Sequence, residues 1–288
     1  MSWSPDAYEL IDFGGGRKLE RFGSYLVDRP APATAEMARG NPEAWRRVDA
    51  RYERRAGGKG AWSVVRQPPA PWVVGGQGPL CLELKLTPFG HVGVFPEQVN
   101  YWGWIAEQVR RAETPLKVLN LFGYTGGSTL AAAAVGAEVV HVDAARNTVA
   151  WARENARRSG LGEAPIRWIT EDAVKFVRRE IRRGNRYHAV ILDPPSYGHG
   201  PQGEAWRLER DLSGLLQSCA ALIEPDPRLL LLTCHSTGYD RPLLKRLLQG
   251  VLPRTEQRKI RTAAMWLRTS EDRPLAAGAA VYWSSIGR

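Results

Sequence analysis

The sequence predicts an α/β fold, a doubly wound and mostly parallel sheet of seven strands preceded by a small β-rich N-terminal domain. Three observations carry this expectation. Beyond about residue 110, apolar runs alternate with amphipathic segments over short links, as helices covering both faces of a parallel sheet require. The first of these runs passes into a glycine turn, Gly123-Tyr124-Thr125-Gly126-Gly127. Those that follow close on or just before an acid, Asp143, Asp172 and Asp193, and the last is followed by Pro194-Pro195-Ser196-Tyr197.

Taken in order, residues 1–95 are rich in Gly, Pro, Arg and Trp, with brief apolar bursts such as Trp72-Val73-Val74 and Leu80-Cys81-Leu82-Glu83-Leu84 between turn clusters. They read as short strands and loops, the small β-rich domain. Residues 96–288 read as the main domain. It opens with a helix from Gln98 to Glu113 bearing Trp102, Trp104, Ile105 and Val109, and Thr114-Pro115 ends it. Strands are expected at Lys117 to Phe122, Glu138 to Asp143, Ile166 to Thr170, His188 to Asp193 and Arg228 to Cys234. Helices are expected at Ser128 to Val135, Ala145 to Ser159, Ala173 to Arg183 and Glu204 to Ile223. Lys259 to Leu267 and Ala279 to Ser284 suit a closing antiparallel pair.

Bulk properties narrow the function classes. The 288 residues carry a formal net charge of +10, a balance that favours a polyanionic partner such as nucleic acid. Three cysteines, Cys81, Cys219 and Cys234, stand far apart, so neither a disulfide framework nor a metal site is expected. The start, Met1-Ser2-Trp3-Ser4-Pro5-Asp6, shows no export signal, and no apolar run is long enough to span a bilayer. A cytoplasmic protein without a membrane partner is expected, of unassigned oligomeric state.

Ligands of doubly wound sheets lie outside the carboxyl ends of the strands, at the switch in strand order. The glycine turn falls there, with a backbone that a ligand can approach closely. Asp143, with Ala144 after it, is placed to accept from ribose hydroxyls, and Asp172 from an adenine amino group; each also suits a helix cap. A Gly-x-Gly-x-x-Gly signature is absent, which counts against a dinucleotide. Two prolines after Asp193 force a rigid open turn whose carboxylate and carbonyls face the cleft.

Val118–Ser128, the run Trp151-Ala152-Arg153-Glu154-Asn155-Ala156 with Ser159-Gly160-Leu161, and Ile191–Tyr197 resemble the class I S-adenosylmethionine-dependent methyltransferases. They are most similar to the group that modifies bacterial large-subunit ribosomal RNA on cytosine C5 or guanine N7. Segments 8–23 and 87–98 resemble further members, so the likeness extends over nearly the whole chain. It implies S-adenosylmethionine as cofactor, S-adenosylhomocysteine as product and ribosomal RNA as partner. It further implies that Phe122, Tyr124, Thr125, Gly126 and Gly127 wrap the methionine portion. Asp143 would hold the ribose, Asp172 with Ala173 the adenine, and Gln98 would approach from the incoming helix. Asp193, Pro194, Pro195, Ser196 and Tyr197 would form the catalytic turn. Asn120 departs from the acid that opens this motif in many relatives.

The target atom stays open at this level. Cytosine C5 methylation requires a thiolate, for which Cys234 is the candidate, although a buried structural thiol suits it better; Ser236 stands where some C5 enzymes carry their nucleophile. Nitrogen methylation needs positioning alone and is favoured. His199 reads as a loop histidine, and His235 lacks any carboxylate orienter identifiable from spacing. Arg46-Arg47, Arg51 to Arg55 with Tyr52, and Arg178 to Arg186 could follow a phosphate backbone; Trp45, Tyr52 and Trp62 make the N-terminal set the expected RNA-contact region. A protein or small-molecule methyltransferase and a noncatalytic RNA-binding module are the alternatives, with a nicotinamide dehydrogenase more distant.

Overall fold

The computed structural model describes residues 1–54, 60–75, 78, 80–224 and 228–286. It divides into two compact units, Met1–Asn100 with Trp266–Ala276, and Tyr101–Met265 with Ala277–Arg288. The distal part of a C-terminal hairpin thus clusters with the first unit, an association across the chain that a linear division near residue 95 does not register.

In the first unit a five-stranded sheet runs β1 (Tyr8–Gly14), β2 (Arg17–Phe22), β3 (Tyr25–Pro30), β4 (Ala50–Arg54) and β5 (Gly60–Val64), in that spatial order. Antiparallel neighbours dominate it, β1 and β2 and then β2 and β3 being joined by short glycine turns. Two short strands, β6 (Val73–Gly75) and β7 (Cys81–Glu83), form a separate antiparallel pair. Tyr8, Leu10, Phe22, Tyr25 and Trp72 are buried, with Tyr25 and Trp72 in edge contact at 4.9 Å.

Asp12 organises one end of this sheet. Its fully buried carboxylate accepts from the amides of Gly40 (3.0 Å) and Asn41 (2.9 Å), from Trp45 Nε1 (2.8 Å) and from Arg273 (2.6 Å), whose guanidinium lies over Phe13. Burial alone would push the Asp12 carboxyl up, but the hydrogen bonds from Trp45, Asn41 and Gly40 outweigh it and hold it below the ordinary range. Its contribution is therefore complete above the unfolded value of about 3.9 and is lost as pH falls through the lowered folded value. Asp12→Ala strands four donors at once and should cost roughly 3 kcal/mol or more of stability. Denaturant unfolding followed by tryptophan fluorescence measures it; a loss below about 0.5 kcal/mol, the surface range, would contradict this role.

The second unit is the doubly wound part. From α1 (Val99–Arg111) the chain continues through β8 (Lys117–Leu121), α2 (Gly127–Ala133), β9 (Glu138–Asp143), α3 (Arg146–Arg158), β10 (Ile166–Thr170), α4 (Ala173–Arg182) and β11 (Ala189–Leu192). A hairpin of β12 (Tyr197–His199) and β13 (Ala205–Arg207) precedes α5 (Leu208–Leu222), β14 (Leu229–Cys234), α6 (Arg241–Gln249), β15 (Arg261–Arg268) and β16 (Pro274–Ser284). The sheet order is β10-β9-β8-β11-β14-β16-β15. β8 to β11 and β14 pair in parallel, and β16 joins β14 antiparallel.

Both faces of this sheet are covered. All residues of β11 and β14 are buried, which is why they read as unbroken apolar runs. Alternate residues serve opposite cores: Leu119, Val190 and Leu230 face α4, α5 and α6, whereas Val118, Ile191 and Leu231 face α1 and α2. Two expectations differ from the structure. Residues 204–207 do not open α5, because Ala205–Arg207 pairs with Tyr197–His199. The helix α6, capped by Asp240 with proline in its first turn, adds an element that the sequence reading omitted. No described helix is long and apolar enough to cross a membrane.

Candidate functional site

Strand register places the predicted residues along one edge of the second unit. Leu121 pairs with Val142 and Leu192, Thr170 with Asp143, and Leu192 with Leu232. Phe122, Asp143, Asp193 and Thr233 therefore emerge side by side at the carboxyl ends. The chain leaves β8 to build β9 and β10 on one side and returns to place β11 on the other, so the switch in strand order lies between β8 and β11.

The glycine turn is tightly constrained. Phe122 (φ 55°) and Tyr124 (φ 49°) are non-glycine residues in the left-handed region, and Gly126 has φ 97°. Such side-chain-bearing residues cost on the order of 1 kcal/mol each, and neighbouring hydrogen bonds hold them there. Gly123 donates to the Val142 carbonyl (3.0 Å), Tyr124 to Asp143 Oδ2 (3.0 Å) and Gly126 to the Gly123 carbonyl (3.0 Å). Asn155 Nδ2 donates to the Thr125 carbonyl (2.9 Å), and the Phe122 ring packs on Trp206 at 4.9 Å. Asp143 Oδ1 accepts from the Ala145 amide (2.9 Å). Burial pushes the Asp143 carboxyl up, against the two amide hydrogen bonds.

Beneath the turn lies a buried polar chain. Asn120 Nδ2 donates to Thr129 Oγ1 (2.8 Å), which lies 2.8 Å from His141 Nδ1. Thus Asn120, departing from the family's acid, is committed to supporting the turn. A Cβ at Gly123 would overlap the His141 ring, and one at Gly127 the Trp102 indole. Burial lowers the fully enclosed His141 to about 3, so it folds as the neutral imidazole. Its contribution is complete above the unfolded value of about 6.5 and is lost as pH falls towards the folded value, by about 1.4 kcal/mol per pH unit. Unfolding free energy should fall between pH 6.5 and 5, and the slope should shrink in H141Q; identical slopes would contradict this.

Asp172 is the N-cap of α4, its Oδ1 accepting from the Lys175 amide (2.9 Å). Asp193 Oδ1 accepts from Thr233 Oγ1 (2.7 Å) and stands 3.4 Å from His235 Nε2. The other ring nitrogen, Nδ1, faces the Ala277 carbonyl at 2.8 Å. His235 therefore has a carboxylate beside it, supplied by the neighbouring parallel strand 42 residues away in sequence, which spacing could not reveal. After buried Pro194, the residues Pro195, Ser196 and Tyr197 are exposed, Tyr197 at 52%. The turn is fixed from behind by Trp206 Nε1 donating to the Pro195 carbonyl (2.7 Å), and the Tyr197 hydroxyl lies 2.9 Å from His199 Nε2. Cys234 is fully buried, and burial pushes its thiol up.

Gln98 is buried in the 3-10 turn before α1 and belongs to the first unit. Of the aromatic set expected to contact RNA, Trp45 and Tyr52 are core residues, hydrogen-bonded to Asp12 and the Pro88 carbonyl, and Trp62 is half-buried with its indole donating to the Thr87 carbonyl. Trp45 and Tyr52 are thus engaged in packing, and Trp62 keeps part of its surface exposed. Arg55 lies outside the described residues.

Known proteins are similar in both sequence and fold. A crystal structure of an S-adenosylmethionine-dependent methyltransferase from Agrobacterium tumefaciens superposes with a TM-score of 0.89 at 35% identity, over 98% of this chain and 92% of that one. Ribosomal RNA large subunit methyltransferase K/L of Methylococcus capsulatus is 29% identical over 163 residues, 54% of this chain but 22% of that protein. Ribosomal RNA large subunit methyltransferase I of Aeromonas hydrophila is 26% identical over 196 residues, 63% of this chain and 48% of that one. The chain thus spans less than half the length of either of these two relatives. The family model for S-adenosylmethionine-dependent methyltransferases matches residues 46–242, a stretch that contains the glycine turn, Asp143, Asp172 and Asp193, and the chain belongs to that family.

Proposed function

We propose that this methyltransferase acts on ribosomal RNA, at a ring or exocyclic nitrogen of a base. The observation that carries the choice of nitrogen is Cys234. It is the cysteine at the carboxyl edge of the sheet, fully buried, with its thiol pushed up by that burial, whereas C5 chemistry requires an accessible thiolate. Cys219 is likewise buried and raised. The choice of ribosomal RNA is supported by the names of the two curated relatives, by the net charge of +10 and by the exposed Tyr197 ring after the proline turn, a face on which an unstacked base can rest. A cytoplasmic location belongs to the same proposal.

The residues fit the cofactor. The turn carries glycine where side chains would collide with neighbours, and its strained aromatics are held open by hydrogen bonds. Each Asp143 oxygen takes one amide and keeps capacity for a ribose hydroxyl. S-adenosylmethionine supplies an electrophilic methyl group on its sulfonium. In this proposal Phe122, Tyr124, Thr125, Gly126 and Gly127 hold the methionine portion, Asp143 with Ala144 the ribose, and Asp172 with Ala173 the adenine. Asp193, fixed by Thr233, accepts a hydrogen bond from the target nitrogen and takes its proton where one must leave; Pro194, Pro195 and Ser196 set the height of the turn. Positioning a nitrogen lone pair in line is the main catalytic demand.

Cys234→Ala should retain activity within about threefold of wild type, a loss well below what a missing nucleophile causes. Mass spectrometry of ribosomal RNA nucleosides from cells with and without the gene tests the target: an N-methylated base that disappears with the gene supports it. Disappearance of 5-methylcytidine, together with loss of activity in the Cys234 variant, would replace it with the thiolate reading.

A further inference from the structure

Charge is unevenly divided between the units. Lys and Arg outnumber Asp and Glu by eight in the second unit and by two in the first. In the first, the cations are largely spent internally: Arg17 and Arg51 close on Asp28, Arg21 on Glu9, Arg29 on Glu20, Arg66 on Asp49 and Arg273 on Asp12. One helical layer of the second unit instead carries, besides paired cations, a set of cations without such partners among the described residues. There α5 packs against α4 on one side and α6 on the other, over a shared core including Phe176, Leu212, Leu216 and Leu244.

The outward faces of this layer are patterned. On α4, Arg178 and Arg182 stand exposed one turn apart; on α6, Arg241, Lys245 and Arg246 do. None of these five forms an ion pair with a carboxylate among the described residues. Like charges one helical turn apart are destabilising without a counter-anion. Between the two cationic helices, α5 presents the uncharged Ser213, Gly214 and Gln217. A Cβ at Gly214 would meet nothing within 4 Å, so no internal packing demands glycine in this helix interior; the residue costs about 1 kcal/mol relative to alanine. The carboxylates on these helices are Glu180 of α4, buried and paired with Arg183, Glu209 and Asp211 in the first turn of α5, the latter paired with Arg210, and Asp240, which caps α6.

The layer is continuous with the catalytic edge. Its middle helix follows directly from the β12–β13 hairpin that extends the Asp193-Pro194-Pro195 turn, and Lys175 of α4 is tied to Gln202 and Glu204 of that hairpin. We infer that the phosphate backbone of the RNA segment flanking the target base runs along α5, between the cations of α4 and α6. This inference rests on the RNA reading above and moves the main polyanion contact from the β-rich unit to the catalytic one. Neutral small residues form its floor, and the two cationic helices form its rims, which gives sequence-independent affinity through counterion release.

The test compares wild type with R178A/R182A/K245A/R246A and with a control, R110A/R111A/R153A/R157A, on α1 and α3 outside this layer. Affinity for ribosomal RNA from cells lacking the gene is measured across salt concentrations, alongside S-adenosylmethionine affinity and melting temperature. Loss of the four contacts should flatten the slope of log K against log salt by about 0.7 each, roughly 3 in all, and weaken binding at least about tenfold at physiological salt. Cofactor affinity and melting temperature should not change, and R178K/R182K should keep binding near wild type. An unchanged slope and affinity in the quadruple variant, or an equal loss in the control, would overturn the inference. If wild type transfers no methyl group to RNA, the RNA reading itself fails; transfer by wild type with unaltered binding by the quadruple variant sinks only the assigned surface.

Discussion

Asp193→Ala is expected to lower the methyl-transfer rate by two to three orders of magnitude while leaving the S-adenosylmethionine Kd within a few-fold of wild type. The carboxylate sits at the end of β11, held by Thr233 at 2.7 Å and flanked by His235 at 3.4 Å, so it is pre-aimed by two side chains of the next strand. A positioned group that takes up a proton or hydrogen bond in the transition state is worth about 10²–10⁴ in rate. Asp143→Ala should show the converse, a weaker Kd with a smaller change in the rate at saturation, since its carboxylate holds the Tyr124 amide of the turn and the Ala145 amide and is proposed to take the ribose. Single-turnover rates and calorimetric titration separate the two; a rate for Asp193→Ala within threefold of wild type would remove Asp193 from the chemistry.

Gly123→Ala should cost about 1–3 kcal/mol of stability and weaken cofactor binding at least about tenfold, the magnitude expected of overpacking a rigid core. The added methyl would stand far inside van der Waals contact of the His141 ring. That ring cannot retreat, because it is fully buried, bound to Thr129 at 2.8 Å and packed on Trp168 at 4.9 Å. The displaced turn would lose the Tyr124 to Asp143 hydrogen bond that holds its left-handed geometry. Truncation of the obstacle in the double variant Gly123→Ala/His141→Ala should recover part of the loss, a coupling that denaturant unfolding and cofactor titration both read. Strict additivity of the two substitutions would show that the ring is not what excludes a side chain there.

The line of residues along the carboxyl ends of the sheet was legible because it follows from strand order and short motifs. β8, β9, β11 and β14 are covered on both faces, so their sequences are largely apolar, broken inside β8 by Asn120 and inside β9 by His141, and the residues that end them fall on one line. What escaped depends on partners distant in sequence. The β12–β13 hairpin takes residues 204–207 out of α5 through pairing with Tyr197–His199. His235 acquires its carboxylate because β11 and β14 are adjacent. Trp45 and Tyr52 stand among basic residues in the sequence, yet the former turns inward to Asp12 and the latter packs in the core; composition shows interleaving but not facing. The cap of α6, Asp240 before Arg241-Pro242, was by contrast a local signal open to recognition from the start.

The most direct test is transfer of labelled methyl groups from S-adenosylmethionine by the purified protein to ribosomal RNA taken from cells lacking the gene, followed by mass spectrometry of the released nucleosides. Label recovered in RNA as a single N-methylated base, in wild type and in Cys234→Ala but not in Asp193→Ala, is the predicted result. Label recovered as 5-methylcytidine, or none in RNA from protein shown to bind the cofactor, would contradict it.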